Sequence, residues 1–204
     1  MQGTQIQIRY HHGLRSATYV AWGFAQPSAS LRDIRDLSDL ENEAFDIVSH
    51  GYSINYISET DAAFDGAVRV LCPGGKYVLH THNPFLHGSW IDGCWGSSWK
   101  KEDLWKGIGY PIRLPYVEGA AITTRDPYWN FHDAEGNKKR VPAPQEFRHL
   151  LSVIVNGLIG RGLKLLRIEE SSGGDPEAKP GTWEHYQYFA PPWMTFWWEK
   201  SPVV

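Results

Sequence analysis

The chain of 204 residues is poor in several things, and each shortage excludes a class of protein. It has two cysteines, Cys72 and Cys94, in unlike contexts and without CxxC spacing. A disulfide framework is therefore not expected, and the reduced thiols of a cytoplasmic protein fit better. It lacks a charge bias: the formal net charge is −3, whereas nucleic-acid modules usually show a strong basic excess. The one basic run, Lys138-Lys139-Arg140, reads as the solvated edge of a hairpin. No apolar run approaches the roughly 18 residues of a membrane span. The N-terminal MQGTQIQIRYHHG has no apolar signal core. Neither an internal repeat nor a domain linker is visible, so residues 1–204 are expected to form one domain with no nucleic-acid or membrane partner.

What the chain does contain is unevenly spread. Nine of its ten tryptophans lie from Trp90 onward. Gln5 to Tyr10 alternates as a strand should, with Ile6 and Ile8 on one face. Residues 11–32 resist assignment, and AWGFAQPSASL reads as loop from its Gly, Pro and Ser. The pattern sharpens at FDIVSH from Phe45, a short apolar run typical of a strand buried on both faces. Ser58 is placed to cap a helix, with Asp61 in its positive first turn. Phe64, Ala67, Val68 and Leu71 then share one helical face. Pro73 is expected to end that helix, Gly74-Gly75 to supply a turn with positive φ, and KYVLHTH to be the next strand. Strand, helix and strand over some forty residues make a βαβ unit, which builds parallel sheets, so the fold class is α/β.

Further on, Tyr128–Phe131 and Lys138–Val141 suggest a hairpin. Pro144 suits a helical first turn, followed by the stripe Phe147, Leu150, Leu151, Ile154 and Leu158 and the terminating Gly160 and Gly162. GLKLLRIEE and PWMTFWWEK read as strands, with SSGGDPEAKPGT as loop between them.

These strings in this order resemble the second half of a class I S-adenosylmethionine-dependent methyltransferase. FDIV is similar to the start of that family's fourth strand, and RVLCPGG to the turn leading into the fifth. EFRHLLSVIVNGLIGRGLKLLRIEE resembles the next helix and the sixth strand. Trp183-Glu184-His185-Tyr186 and APPWMTFWWEK resemble a closing loop and the seventh strand. The resemblance runs from about residue 40 to 200. It implies an incomplete Rossmann-like sheet, equivalent to strands 3 to 7, with QIQIRY as the third strand and residues 86–142 as an aromatic-rich substrate-side insertion after the fifth.

Two family features are absent. There is no glycine-rich turn after a first strand, which lets the backbone approach the cofactor. There is also no acidic residue ending a second strand, which grips the ribose. Gly107-Ile108-Gly109 follows no strand, and Gly160-Arg161-Gly162 follows a helix. Asp33 or Asp36 is available for the acidic position near the adenine, where HHGL otherwise stands. A sheet without its first strand would expose apolar edges, so a homodimer or a partner subunit completing the sheet is expected.

Ligands in open parallel sheets bind outside the carboxyl ends of the strands. The resemblance thus puts Ser49, His50, Gly51, Tyr52 and Ser53 at the rim of an S-adenosylmethionine site, with Tyr52 or Tyr56 offering a ring to the sulfonium. His80 and His82, with Tyr128 and Trp129, are candidates to bind a small-molecule acceptor, and Trp90, Trp95, Trp99 and Trp105 to wall it or merely to cover the sheet end. His149 and His132 are candidates for acid–base work. Three functions stay open: S-adenosylmethionine-dependent methyl transfer, an inactive methyltransferase-like remnant or partner subunit, and a metal-dependent enzyme using His80 and His82.

Overall fold

The computed structural model describes residues 5–10, 17–22, 28–86, 115–122, 128–132, 135–171 and 173–202, excluding the side chains of 5–10, 17–22, 28–32 and 129–131. The expectations for Trp90, Trp95, Trp99, Trp105 and the Trp129 side chain lie outside the described residues.

Three strands open the chain: β1 (Gln5–Tyr10), β2 (Ala17–Trp22) and β3 (Ser28–Arg32). The core unit follows as β4 (Phe45–Gly51), a 3₁₀ turn (Ser53–Tyr56), α1 (Asp61–Val70) and β5 (Leu71–His82). β6 (Ala120–Ile122), β7 (Tyr128–His132), β8 (Lys138–Pro142) and β9 (Glu146–Arg148) are short. The chain then runs through α2 (Leu151–Ile159), β10 (Leu163–Glu170), α3 (Trp183–Phe189) and β11 (Trp193–Lys200). Seven strands form one sheet in the order β10-β11-β5-β4-β1-β2-β3, while β6 pairs with β9 and β7 with β8.

The βαβ unit is present as read: β4 and β5 are parallel, joined through α1. Helix α1 buries Ala63, Phe64, Ala67 and Val70. It starts later than its sequence suggests, with Thr60 rather than Ser58 at the N-cap and no side-chain capping bond. Its other end is held by side chains from afar. The Lys200 ammonium donates to the carbonyls of Val68 and Leu71, where a helix leaves its acceptors unpaired. Gly74 has φ +77 as expected, and a Cβ on Gly75 would meet Cys72 O at 2.8 Å and Asp46 O at 3.0 Å.

The core lies on one face of the sheet. Val48, Tyr77, Leu79, Phe196 and Trp198 pack there with Phe64 of α1 and Ile154 and Leu158 of α2. Fully burying each such side chain contributes about 1.5–3 kcal/mol. β4 is not buried on both faces: Val48 and His50 are inside, whereas Ile47 and Ser49 are half-buried. The alternation continues in β5, where Tyr77, Leu79 and Thr81 are buried and Val78 and His80 are not.

Four readings of the sequence are corrected by the sheet. The stretch AWGFAQPSASL, read as loop, instead contributes its first two residues to β2 and its last four to β3. QIQIRY, read as equivalent to the family's third strand, lies parallel beside β4, the first strand's place in the doubly wound order. The edge goes to β3, so β4 has no open side to draw in a partner. Finally, Glu146–Arg148 pairs with β6 instead of beginning a helix, and α2 starts at Leu151, leaving Pro144 outside its first turn.

Candidate functional site

The carboxyl ends of β4 and β5 lie side by side, with Gly51 opposite His80. Past Gly51 the chain turns sharply: Tyr52 has φ +70, a conformation that costs a bulky residue about 1–2 kcal/mol. The turn is fastened by the Tyr52 N–H, which donates to the His80 carbonyl at 2.9 Å. A Cβ on Gly51 would meet no described atom within 4 Å.

The strained turn aims the Tyr52 ring across the end of β5. It meets the His82 ring edge-on, with centroids 4.7 Å apart, and lies 6.5 Å from the His80 ring and 5.6 Å from that of Tyr56. Above them stands Glu146 of β9. Its Oε2 lies 3.5 Å from the Tyr52 hydroxyl and 3.4 Å from His82 Nε2. The His82 contact is off the line of a good hydrogen bond, so it is an electrostatic one. Glu146 and His82 are both 6% exposed. Burial pushes the Glu146 carboxyl above its ordinary range, and the neighbouring His82 pulls it partly back. His82 Nδ1 faces the Pro192 carbonyl at 3.4 Å, so both of its ring nitrogens look at acceptors. His80 shares a hydrogen bond with the Thr195 hydroxyl at 2.9 Å, and burial lowers its pKa.

The sequence candidates divide accordingly. Gly51, Tyr52, His80 and His82 come together at the rim, beside the half-buried Ser49. His50 and Ser53 are fully buried. His50 Nδ1 bonds the Tyr77 hydroxyl at 2.7 Å inside the core, and burial drives its pKa down to about 3. His149 joins separate segments: Nε2 faces the carbonyls of Ile54 and Ile57, and Nδ1 faces Glu118. Glu118 in turn accepts from the Leu150 N–H at the start of α2. This arrangement clamps the 3₁₀ turn against the β9–α2 junction. His132 is exposed on β7, in a hairpin separate from the large sheet. Tyr128 is also exposed there, with the Arg140 guanidinium 4.4 Å over its ring. Among the described residues no group of three His, Cys, Asp or Glu converges as a metal site.

Glu146 was not foreseen. Its partner Tyr52 is 94 positions away, and the string QEFR carries no local mark of a buried carboxylate. Asp33 gains in interest because it directly follows β3 at the sheet edge. Its carboxylate is held by Arg35 and kept below its usual range.

The cofactor side fits poorly. A strand–helix–strand crossover takes a dozen or more residues, but β1 passes into antiparallel β2 across residues 11–16 alone. The intervening sequence HHGLRS holds a single glycine, and no acidic residue precedes Asp33 in the sequence. The residues present therefore do not make a complete grip for S-adenosylmethionine.

The twisted sheet with its βαβ unit and its strand-end cluster defines a Rossmann-like α/β protein. Residues 16–79 match the family described as a methyltransferase domain, including residues 16–32, which had resisted assignment. A protein assigned as an S-adenosylmethionine-dependent methyltransferase from Listeria monocytogenes superposes with a TM-score of 0.53 at 13% identity, over 83% of this chain and 67% of that one. An S-adenosylmethionine-dependent methyltransferase from Clostridium acetobutylicum gives 0.51 at 16% identity, over 84% and 64%. The chain thus spans about two thirds of the length of these structures. No curated protein matches it in sequence. The matched segment is similar to a methyltransferase domain, and the sheet shares its Rossmann-like fold with these structures.

Proposed function

We propose that this chain serves S-adenosylmethionine-dependent methyl transfer to a small-molecule acceptor, supplying the acceptor side of the site without holding the cofactor by itself. The observation that supports the reading is the cluster of Tyr52, His80, His82 and Glu146 at the carboxyl ends of β4 and β5, where ligands of open α/β sheets bind. The methyl donor brings its own positive charge. The protein's share of the work is to align the acceptor and take up its proton. His80 and His82 are the acceptor-side residues in this reading, with Tyr52 at the boundary with the cofactor.

The antiparallel β1–β2 join favours a second reading, in which the chain is a non-catalytic partner of a complete methyltransferase. Calorimetric titration with S-adenosylmethionine and S-adenosylhomocysteine, on folded and disperse protein, tests the main proposal. The isolated chain is expected to bind neither at micromolar concentration. Tight binding would overturn the claim that it lacks a cofactor grip. Methylation of small molecules by the chain mixed with a cofactor-binding partner would separate the acceptor-side reading from the non-catalytic one.

A further inference from the structure

We propose that β10 is a dimer interface, pairing antiparallel with the β10 of a second copy so that the two seven-stranded sheets run on as one. The proposal goes beyond the reading of the rim and holds whatever the rim binds. β10 stands at the end of the sheet, and among the described residues only β11 pairs with it. Its outer side therefore offers the N–H and C=O groups of an edge. The strand LKLLRIEE carries no proline to blunt that edge. Leu166 is 46% exposed and Ile168 42%. Ile159, 52% exposed, adds to them from the end of α2, the helix packed on β10. It lies one turn beyond Val155, which packs with Leu165 against the core.

The pattern of the strand selects a second copy as the occupant. Cross-strand neighbours share a face, so Leu165 and Ile168, beside the buried Trp198 and Phe196 of β11, lie on the core face. Leu163 and Glu170 lie there too, whereas Lys164 and Glu169, beside Glu199 and Thr195, lie on the other face. A bulge at Leu166 separates the two halves. Laid end to end against its own copy, β10 sets Leu163 opposite Glu170 and Leu165 opposite Ile168, all on the core face. Lys164 then falls opposite Glu169 on the other face, twice by symmetry, and the two bulges meet at the axis. A register one residue away breaks this match of faces. A parallel pairing in register would oppose like charges. Glu169 already pairs with Arg167 of its own strand at 2.7 Å, and a carboxylate has acceptor sites left for the second copy's Lys164. The twofold axis stands normal to the sheet. The rims at β4 and β5 therefore open at opposite ends of the joined sheet, and dimerisation closes neither.

The test is sedimentation equilibrium of the full chain from nanomolar to high micromolar concentration. The parent is expected to pass from monomer to dimer over that range. Lys164→Glu and Glu169→Lys each place like charges at both contacts, and each is expected to raise the dimer dissociation constant about tenfold. Mixing the two variants is expected to return association to within a few-fold of the parent, because every contact is then between unlike charges. Urea unfolding checks that each variant keeps its fold. Should either single variant fail to fold, the double variant Lys164→Glu/Glu169→Lys again opposes unlike charges and is expected to dimerise like the parent. A parent that stays monomeric throughout, a dimer that neither reversal weakens, or a mixture or double variant that stays dissociated would overturn the proposal.

Discussion

Replacing Tyr77 with Phe removes one oxygen from the middle of the core, and its cost follows from what that oxygen touches. The Tyr77 hydroxyl lies 2.7 Å from His50 Nδ1, both residues are almost wholly buried, and their rings meet edge to face at 5.4 Å. Burial keeps the phenol protonated and the imidazole neutral, so the hydroxyl donates to Nδ1. Among the described residues His50 Nε2 has no hydrogen-bond partner. Tyr77→Phe therefore strands the imidazole completely, and His50→Leu strands the hydroxyl. Either change is expected to cost about 1–3 kcal/mol, the penalty for leaving one buried polar group unsatisfied. The double variant removes both groups and also the orphaned Nε2. It is expected to lie within about 1 kcal/mol of the parent at neutral pH, with a coupling energy on the order of 1–2 kcal/mol.

The pH dependence provides a second readout from the same pair. His50 titrates near 6.5 when unfolded and at about 3 when folded. Between those values the unfolded chain binds more protons, so stability rises with pH and is lost as pH falls through that window. The loss from this one residue is about 2 kcal/mol between pH 8 and pH 5. Urea unfolding at several pH values, followed by tryptophan fluorescence, measures both effects. The double variant should lose that part of the slope. Singles whose costs simply add in the double variant, or a slope that survives His50→Leu, would refute the assignment.

Other substitutions test the frame around the site. Gly75→Ala drives a Cβ into two carbonyl oxygens and Leu71, and is expected to cost about 3 kcal/mol. Gly74→Ala has open space but φ +77 and should cost only about 1 kcal/mol. Equal or reversed losses in urea unfolding would contradict the turn geometry. Phe64→Ala, at a fully buried position of α1, should lower stability by roughly 3–5 kcal/mol, and a loss below 1 kcal/mol would mean that α1 does not pack there. Lys200→Met uncovers the last carbonyls of α1 and should cost about 1 kcal/mol. Glu43→Gln, which removes only the exposed partner of Lys200, should change stability by less than about 0.5 kcal/mol.

The parts of the fold legible in the sequence are those governed by near neighbours. FDIV, the apolar face of α1 and the Pro-Gly-Gly join carry period and turn chemistry within a few residues, and the parallel β4–β5 pair follows from them. The hairpin of β7 and β8 was legible for the same reason. Pairing at a distance was not. QIQIRY has the pattern of a strand but nothing that says whether it lies at an edge or beside β4. Its central place emerges only from its register with Ile47 to His50. At Glu146 to Arg148 a helical stripe could be drawn through Phe147 and Leu150, yet pairing with Ala120–Ile122 overrides it.

The site shows the same division, with a difference that bears on function. The sequence placed residues 49–53 together at a ligand rim, but strand alternation sends neighbours to opposite faces. His50 enters the core while Gly51 and Tyr52 remain at the edge. Tyr52 breaks a local rule by taking a left-handed conformation, and Glu146 breaks another by burying a carboxylate. These two violations meet each other and His82. Sequences generally agree with their folds at every level except where function demands otherwise. Two costly departures, 94 positions apart in the chain, converge on one point at the carboxyl ends of parallel strands. Open α/β sheets hold their ligands at that same end.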